Sequence, residues 1–134
     1  MKRLISVLVV LGALLLGSHT DSLTQQQTTK VYWMSTVVVP LGKLPEYHAF
    51  AEKELIPLQE KHGYHYVAGW QTIIGDIEEV ITVAEFDNMD AYFKARVNLL
   101  GSAEWKPVSA KFDGLSKSIR TRMLSAVPYI NKMK

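Results

Sequence analysis

A β-hairpin pattern at residues 62–86 (HGYHYVAGWQTIIGDIEEVITVAEF) constrains the fold more than any other part of the chain. Residues 64–74 and 80–86 are rich in β-branched and aromatic residues, and the polar turn at residues 75–78 separates them. Helical patterns flank this hairpin on both sides, and no other hairpin adjoins it. The sequence therefore predicts a domain in which helices and strands are mixed.

The residues before the hairpin predict one strand and one helix. Residues 30–39 (KVYWMSTVVV) have the composition of a strand, and a proline ends them. Pro45 suits the first turn of a helix, where a missing N–H is harmless, and Gly63 suits its C-terminal end. Pro57 is expected to kink or restart this helix because it lacks a backbone donor. The predicted inner face of the helix comprises Leu44, His48, Ala51, Leu55 and Leu58.

The residues after the hairpin predict a second helical region and a last strand. Asp87 is the predicted N-cap of the helix, residues 104–114 continue the helical region, and residues 118–126 (SIRTRMLSA) alternate as a strand. The order β-α-β-β-α-β predicts an α+β, ferredoxin-like fold: a four-stranded antiparallel sheet of order 4-1-3-2 with its helices on one face. The predicted apolar stripe of the second helix comprises Met89, Tyr92, Phe93, Arg96, Val97 and Leu100.

The first strand is apolar on both of its faces. Helices can cover only one face of the predicted sheet, so the other face needs a cover of its own. A second copy of the chain is the simplest cover, and we therefore expect a homodimer. The two sets of strand residues are Val31, Trp33 and Val37 on one face, and Tyr32, Met34 and Val38 on the other.

The first twenty residues have the layout of a secretory signal peptide. Lys2 and Arg3 precede an apolar run at residues 4–16, which is too short to span a bilayer comfortably. A retained membrane anchor is the alternative. We expect a signal peptide at residues 1–20, a flexible polar leader at 21–29 and one domain at 30–130. The predicted location is the periplasm or the extracellular space, with no stable membrane insertion after signal removal.

Charge and cysteine content exclude several classes of protein. Loss of Lys2 and Arg3 lowers the basic residues from fifteen to thirteen, which equals the thirteen acidic residues. A neutral mature chain gives no electrostatic reason to expect nucleic acid as a partner. The chain has no cysteine, so a buried core and not disulfides must stabilise the exported domain. The sequence also lacks a phosphate loop, a nucleophile triad and a metal-spaced cluster, and no cofactor or metal site is predicted.

Several short segments resemble those of NIPSNAP-domain proteins. They are residues 40–47 (PLGKLPEY), 58–63 (LQEKHG), 67–75 (VAGWQTIIG), 83–90 (VAEFDNMD) and 102–105 (SAEW). The likeness extends from Val31 to Tyr129. It implies a dimeric α/β barrel of ferredoxin-like topology, in a superfamily that includes cofactor-free monooxygenases, lactone isomerases and haem-dependent enzymes. That range of activities means that the fold alone does not give the function.

The hairpin register suggests which residues share a face. If Gly75 and Glu78 close the turn, Trp70 pairs with Val83 and Ala68 pairs with Glu85, so Tyr66, Trp70 and Glu85 lie on one surface of the sheet. A carboxylate buried among aromatic side chains is a candidate general acid or base. The plainer interpretation of Glu85 is a strand-end residue that reaches solvent or pairs with a cation.

Other polar residues are weaker candidates. In the expected strand order, the last strand lies two positions, or about 10 Å, from the strand that carries Glu85. That is too far for a tight pair between Glu85 and Arg120 or Arg122, so these arginines would serve the dimer or an anionic ligand. Arg96 could bind a ligand, or its stem could merely cover apolar surface. His48 could transfer a proton, or could be a core-edge histidine bonded to backbone or water. His62 and His65 are not expected to join it at a metal site.

Two kinds of function remain open from the sequence, besides an interaction protein whose surface alone matters. The first is a non-catalytic module that binds a small hydrophobic ligand or a protein partner, with Tyr66, Trp70, Arg96 and Arg120 as candidate ligand-binding residues. The second is a small cofactor-free barrel enzyme, monooxygenase-like or isomerase-like, that uses Glu85 or His48 for proton transfer. The first is favoured because the chain has no convincing reactive constellation.

Overall fold

A computed structural model of the protein describes residues 29–130. The predicted signal peptide at residues 1–20 lies outside these residues, and so does the predicted leader except for Thr29. The Thr29 hydroxyl donates a 2.9 Å hydrogen bond to the Asp87 carbonyl. The strands are β1 (Val31–Val38), β2 (His65–Gln71), β3 (Glu79–Phe86) and β4 (Ser118–Ser125); the helices are α1 (Leu44–Phe50), α2 (Ile56–Lys61), α3 (Met89–Leu100) and α4 (Trp105–Leu115).

The four strands form one antiparallel sheet of order β2-β3-β1-β4. This order is the predicted 4-1-3-2 arrangement read from the other edge, and it confirms the ferredoxin-like α+β fold. Every helix lies in a connection between strands, α1 and α2 between β1 and β2, and α3 and α4 between β3 and β4. The helices therefore pack on one face of the sheet, which we call the inner face, and leave the outer face without helices.

One long helical segment connects β1 to β2. A short 3-10 turn at Leu41–Lys43 precedes α1, and a π-helical turn at Ala51–Leu55 separates α1 from α2. Pro57 is the second residue of α2, so the missing N–H costs the new helix nothing, and the predicted restart is confirmed. Gly63 has φ of +101° and ends the segment, as predicted.

Two predictions about α3 are wrong. The N-cap is Asn88, not Asp87, and its side chain accepts a 2.8 Å hydrogen bond from the Ala91 N–H. The face that packs inward carries the buried residues Ala95 and Leu99, whereas Val97 of the predicted stripe is 69% exposed. Ala95 lies where α3 passes Gly63, since a Cβ added at Gly63 would be 3.3 Å from the Cβ of Ala95.

The hairpin register differs from the predicted one by two residues. Ala68 pairs with Val83 and Trp70 pairs with Ile81, because β2 ends at Gln71 and the connecting loop is longer than expected. A shift of two residues preserves the faces, so Trp70 still shares the outer face with Glu85. A β-bulge between Tyr66 and Ala68 then turns Tyr66 to the inner face, opposite Ala84.

The core lies between the inner face and the helices. β1 and β3 contribute Trp33, Val37, Val80, Ala84 and Phe86 to it. From the helices come Tyr47, Phe50, Leu55, Leu58, Ala95, Leu99, Val108 and Leu115.

The outer face is apolar along its middle. Met34, Ile81 and Val83 are half-buried, while Trp70 is 57% and Leu124 39% exposed. An apolar surface of this kind on one side of a small sheet is a feature of domains that pack against something else.

Candidate functional site

A cavity of about 680 Å³, partly open to solvent, lies between the helices and the inner face of the sheet. Its size is within the range of pockets that hold small organic ligands. The sheet supplies the floor, and α1, α2, the π-helical turn, α3 and α4 supply the walls. Seven of the lining residues are Phe, Tyr or Trp: Trp33, Tyr47, Tyr64, Tyr66, Trp70, Trp105 and Phe112.

The polar groups in the deeper part of the cavity are paired with one another. The hydroxyls of Ser35 on β1 and Thr82 on β3 are 2.8 Å apart on the floor. The Tyr66 hydroxyl donates a 2.6 Å hydrogen bond to Oε1 of Gln59, which is 6% exposed. These groups satisfy each other, so an apolar molecule that covers them would leave neither pair without its partner.

Burial keeps the cavity tyrosines neutral. It raises the pKa of Tyr47 to about 12. It raises the pKa of Tyr64 to about 12 as well, against a smaller lowering by Arg96. Burial raises the pKa of Tyr66 further, and the neighbouring Tyr64 adds to the effect. A phenol that holds its proton this strongly can donate a hydrogen bond, but it is a poor general base at neutral pH.

His48 lies on α1 and lines the cavity. Its Nε2 is 2.8 Å from Oε1 of Gln71, so the imidazole carries its proton on Nε2 in this contact. The contact links the helix to β2, and Gln71 shares the inner face with Val80. His48 therefore lies at the cavity wall with its Nε2 engaged by Gln71.

Arg96 projects from α3 into the same cavity, beside Tyr64. Its positive charge acts to lower the pKa of the Tyr64 hydroxyl, against the larger effect of burial. Tyr64 in turn stacks on Tyr66, with ring centroids 6.5 Å apart and planes 20° apart. The structure thus brings together Arg96, Tyr66 and His48 at one cavity, and Trp70 also borders it.

Glu85 lies on the outer face, away from this cavity. Its carboxylate accepts a 3.1 Å hydrogen bond from Lys30 Nζ and is 3.9 Å from Nε2 of His65. The Glu85 carboxylate raises the pKa of Lys30 through that hydrogen bond. The predicted grouping of Glu85 with Tyr66 is wrong, because the β-bulge puts the two side chains on opposite faces.

Arg120 also lies on the outer face. It forms an ion pair with Glu79, which sits two strands away across β1. A span of two strands was expected to be too long for a tight pair, but the long side chain of Arg120 bridges it.

Sequence reasoning missed the polar pairs inside the cavity. Gln59 lies in a polar segment that is typical of a solvent-exposed helix end. No local pattern indicates that Gln59 is buried and its neighbour Glu60 is not. Ser35 lies in an otherwise apolar strand. Because a buried hydroxyl needs a hydrogen-bond partner, its presence there was a weak signal that a polar side chain lies opposite.

No three His, Cys, Asp or Glu side chains of residues 29–130 are arranged to hold a metal ion. No helix in the same part of the chain is both long and apolar enough to cross a membrane.

A family profile, NIPSNAP, matches residues 32–131, which is most of the chain. The chain belongs to the NIPSNAP family. No curated protein matches it significantly. Solved structures give the same fold: a NIPSNAP family protein of unknown function from Agrobacterium tumefaciens is 22% identical, with a TM-score of 0.72 over 79% of this chain and 96% of that one.

Two further structures extend the comparison. An uncharacterised NIPSNAP-like domain protein from Burkholderia xenovorans is 16% identical, with a TM-score of 0.71 over 80% of this chain and 93% of its own. SnoaB, a cofactor-independent oxygenase from Streptomyces nogalater, is 14% identical, with a TM-score of 0.57 over 74% of this chain and 94% of its own. At these identities the likeness establishes a shared fold.

Proposed function

We propose that this NIPSNAP domain binds a small, largely apolar ligand in the cavity between its helices and the inner face of its sheet. The observation that carries the proposal is the 680 Å³ cavity itself. The side chains of a protein core normally pack closely, because unfilled space loses van der Waals contacts. Here the aromatic lining stays apart, and its buried polar groups pair with each other instead of awaiting water.

A cavity-filling substitution tests this proposal. Ala51 is half-buried and lines the cavity, so Ala51→Phe is expected to occupy part of the ligand space. We expect the wild-type protein to retain small molecules that native mass spectrometry detects or to bind 2-naphthalenemethanol in calorimetric titration, and the variant to do neither. Ala110→Phe, on an exposed part of α4 that does not line the cavity, is the control and should bind as the wild type does.

A cofactor-free enzyme is the second candidate, favoured by His48 at the cavity wall. The shared fold with SnoaB, a cofactor-independent oxygenase, suggests the reaction class. Such an enzyme must take both electrons from its substrate: one atom of O₂ would enter an electron-rich hydroquinone and the other would leave as water, which gives a hydroxyquinone. In this candidate His48 accepts a substrate proton, and Glu85 has no part because it faces the other side of the sheet.

Oxygen consumption distinguishes the two candidates. With 1,4-naphthohydroquinone and no added cofactor, an enzyme would consume O₂ faster than buffer alone, and His48→Gln would remove that excess. Binding of the hydroquinone without excess O₂ consumption would leave the binding module as the function.

We propose further that two copies of the chain pair through their outer faces. The support is the apolar middle of that face, where Trp70 and Leu124 are exposed, together with a surrounding set of charged side chains that includes both signs. Light scattering on eluting protein should give twice the chain mass. Val83→Asp, at the half-buried centre of the face, should shift it to one chain, and Ala110→Asp on α4 should not.

The N-terminal pattern supports export of the protein. The positive start, the apolar run at residues 4–16 and the small residues after it are the reasons for this proposal. Mass spectrometry of protein from a periplasmic or secreted fraction should find a new N-terminus between Gly17 and Asp21. Protein that keeps Met1 and sediments with membranes would instead identify a retained anchor.

A further inference from the structure

The charges around the cavity are few and unevenly distributed. Among residues 29–130, Arg96 is the one Lys or Arg side chain that lines it. Within the same residues Arg96 forms no ion pair with a carboxylate, although Lys30, Lys61, Lys111, Lys117 and Arg120 all do. A positive group at a cavity wall that the protein does not neutralise leaves its charge available to a bound molecule.

The surroundings of Arg96 favour recognition of a planar group. A guanidinium has five N–H donors, and one neighbouring hydroxyl such as that of Tyr64 could accept from only some of them. The remaining donors form a flat fork that matches a carboxylate, which binds such a fork through both oxygens. Next to the guanidinium lie the stacked rings of Tyr64 and Tyr66.

The residues that line the cavity indicate the chemical nature of the rest of the ligand. Aromatic rings prefer offset-stacked or edge-to-face contacts with other rings, and such pairs are more favourable than their buried area alone explains. Trp33 makes an edge-to-face contact with Tyr64, and Tyr47 and Phe112 add a further aromatic pair to the lining. A flat ring system therefore fits the cavity better than a flexible chain does.

From these observations we infer that the cavity selects an aromatic molecule bearing one anionic group, with the carboxylate or its equivalent on the Arg96 guanidinium. The inference rests on the proposed function, since it names the ligand class of the same cavity.

Two carboxylates compete with this assignment. Glu52 and Asp113 line the cavity as well, and neither has a cationic partner within residues 29–130. Both are exposed, and so is Arg96, but Arg96 lies close enough to Tyr64, a residue that is 3% exposed, for its charge to act on that buried side chain. An interaction next to buried groups is screened less than one at an open rim, and we therefore assign the ligand charge to Arg96.

Three probes that share one ring system test the sign of the charge. They are 2-naphthoate, 2-naphthalenemethanol and 2-naphthylmethylamine, which are anionic, neutral and cationic at neutral pH. In calorimetric titrations of the purified protein, the carboxylate is expected to bind about tenfold more tightly than the alcohol, as one charge-assisted hydrogen bond would give. The amine is expected to bind no better than the alcohol.

A pair of variants assigns the effect to Arg96. Arg96→Gln should lower the affinity for 2-naphthoate about tenfold and lower the affinity for the alcohol much less, so that the preference for the carboxylate is lost. Lys94→Gln, which removes an exposed charge from the same helix but not from the cavity, should leave both affinities as in the wild type. Retained binding of the alcohol also shows that Arg96→Gln is folded.

The outcomes separate this inference from the proposed function. Equal affinity for the three probes would overturn the charge preference while the binding cavity stands. Tightest binding of the amine would reverse the sign and assign the ligand charge to Glu52 and Asp113. Failure of all three probes to bind would overturn the proposed function, and the inference with it.

Discussion

At the scale of single residues, the hydrogen bond from Tyr66 to Gln59 is the polar contact on which the cavity wall most depends. Gln59 is almost fully buried on α2, and its side-chain oxygen accepts from the Tyr66 hydroxyl at 2.6 Å. If the donor is removed, the buried acceptor has no partner in the folded state. The full cost of its desolvation then lowers the stability of the protein.

Substitution of Tyr66 by phenylalanine tests that dependence. Tyr66→Phe keeps the ring and removes the donor, so the free energy of unfolding should fall by about 1–3 kcal/mol in urea denaturation. Tyr129→Phe is the matched control: Tyr129 is 80% exposed, and the change should be within about 0.5 kcal/mol. Equal losses in the two variants would contradict the role given to this bond.

The buried tyrosines also give a stability change at alkaline pH. Tyr47 and Tyr64 ionise near pH 12 in the folded protein and near the ordinary value of 10.0 in the unfolded chain. Below about pH 10 both states hold these protons, and stability does not depend on the two groups. Above it the unfolded chain loses protons that the folded one keeps, so the free energy of unfolding should fall by about 1.4 kcal/mol per pH unit for each tyrosine, until the pH passes through 12.

Urea denaturation from about pH 8 to about pH 11 measures this effect. Tyr47→Phe should reduce the slope above about pH 10 by the share of one tyrosine. Phenolate absorbance of the native protein that rises near pH 10 for all tyrosines would contradict the burial argument.

At the scale of elements, the sequence predicted the order of strands and helices correctly, because each element has a strong local pattern. Strand composition in β1, the turn residues of the hairpin and the Pro57 restart of the helix were all readable without the fold. The identity of the strand neighbours followed from the topology rule for this order of elements.

The finer geometry depended on contacts that no local pattern records. The β-bulge after Tyr66 moves one side chain to the other face, and nothing in the residues around Val67 marks it. The inward face of α3 is set by its approach to Gly63, a residue some thirty positions away. The candidate site residues therefore fall into two groups. Tyr66, Arg96 and His48 line one cavity, whereas Glu85 and Arg120 lie on the outer face.

Gly63 connects the first helical segment to β2 and gives a prediction at this scale. Its φ of +101° is open to glycine and strained for other residues, and an added Cβ would lie 3.3 Å from the Cβ of Ala95. Gly63→Ala should therefore lower the free energy of unfolding by about 1–3 kcal/mol. Gly42→Ala, where nothing lies within 4 Å of the added atom, should have little effect in the same denaturation experiment. A neutral Gly63→Ala would show that α3 is not held against this corner.

At the scale of the whole molecule, the two faces of the sheet have different tasks. The inner face and the helices enclose the aromatic cavity, and the outer face presents an apolar surface flanked by Arg120–Glu79 and Lys30–Glu85. Pairing of two chains through the outer face would leave both cavities accessible, because each cavity is on the far side of its own sheet.

Methyl NMR spectra of the protein, recorded during titration with 2-naphthalenemethanol, locate the ligand on one face or the other. This neutral probe tests binding apart from the charge preference assigned to Arg96. The account predicts that the methyl signals of Val37, Leu55 and Val80, which line the cavity, shift with a common saturation curve. Shifts of Ile81, Val83 and Leu124 on the outer face, with the cavity methyls unchanged, would contradict it.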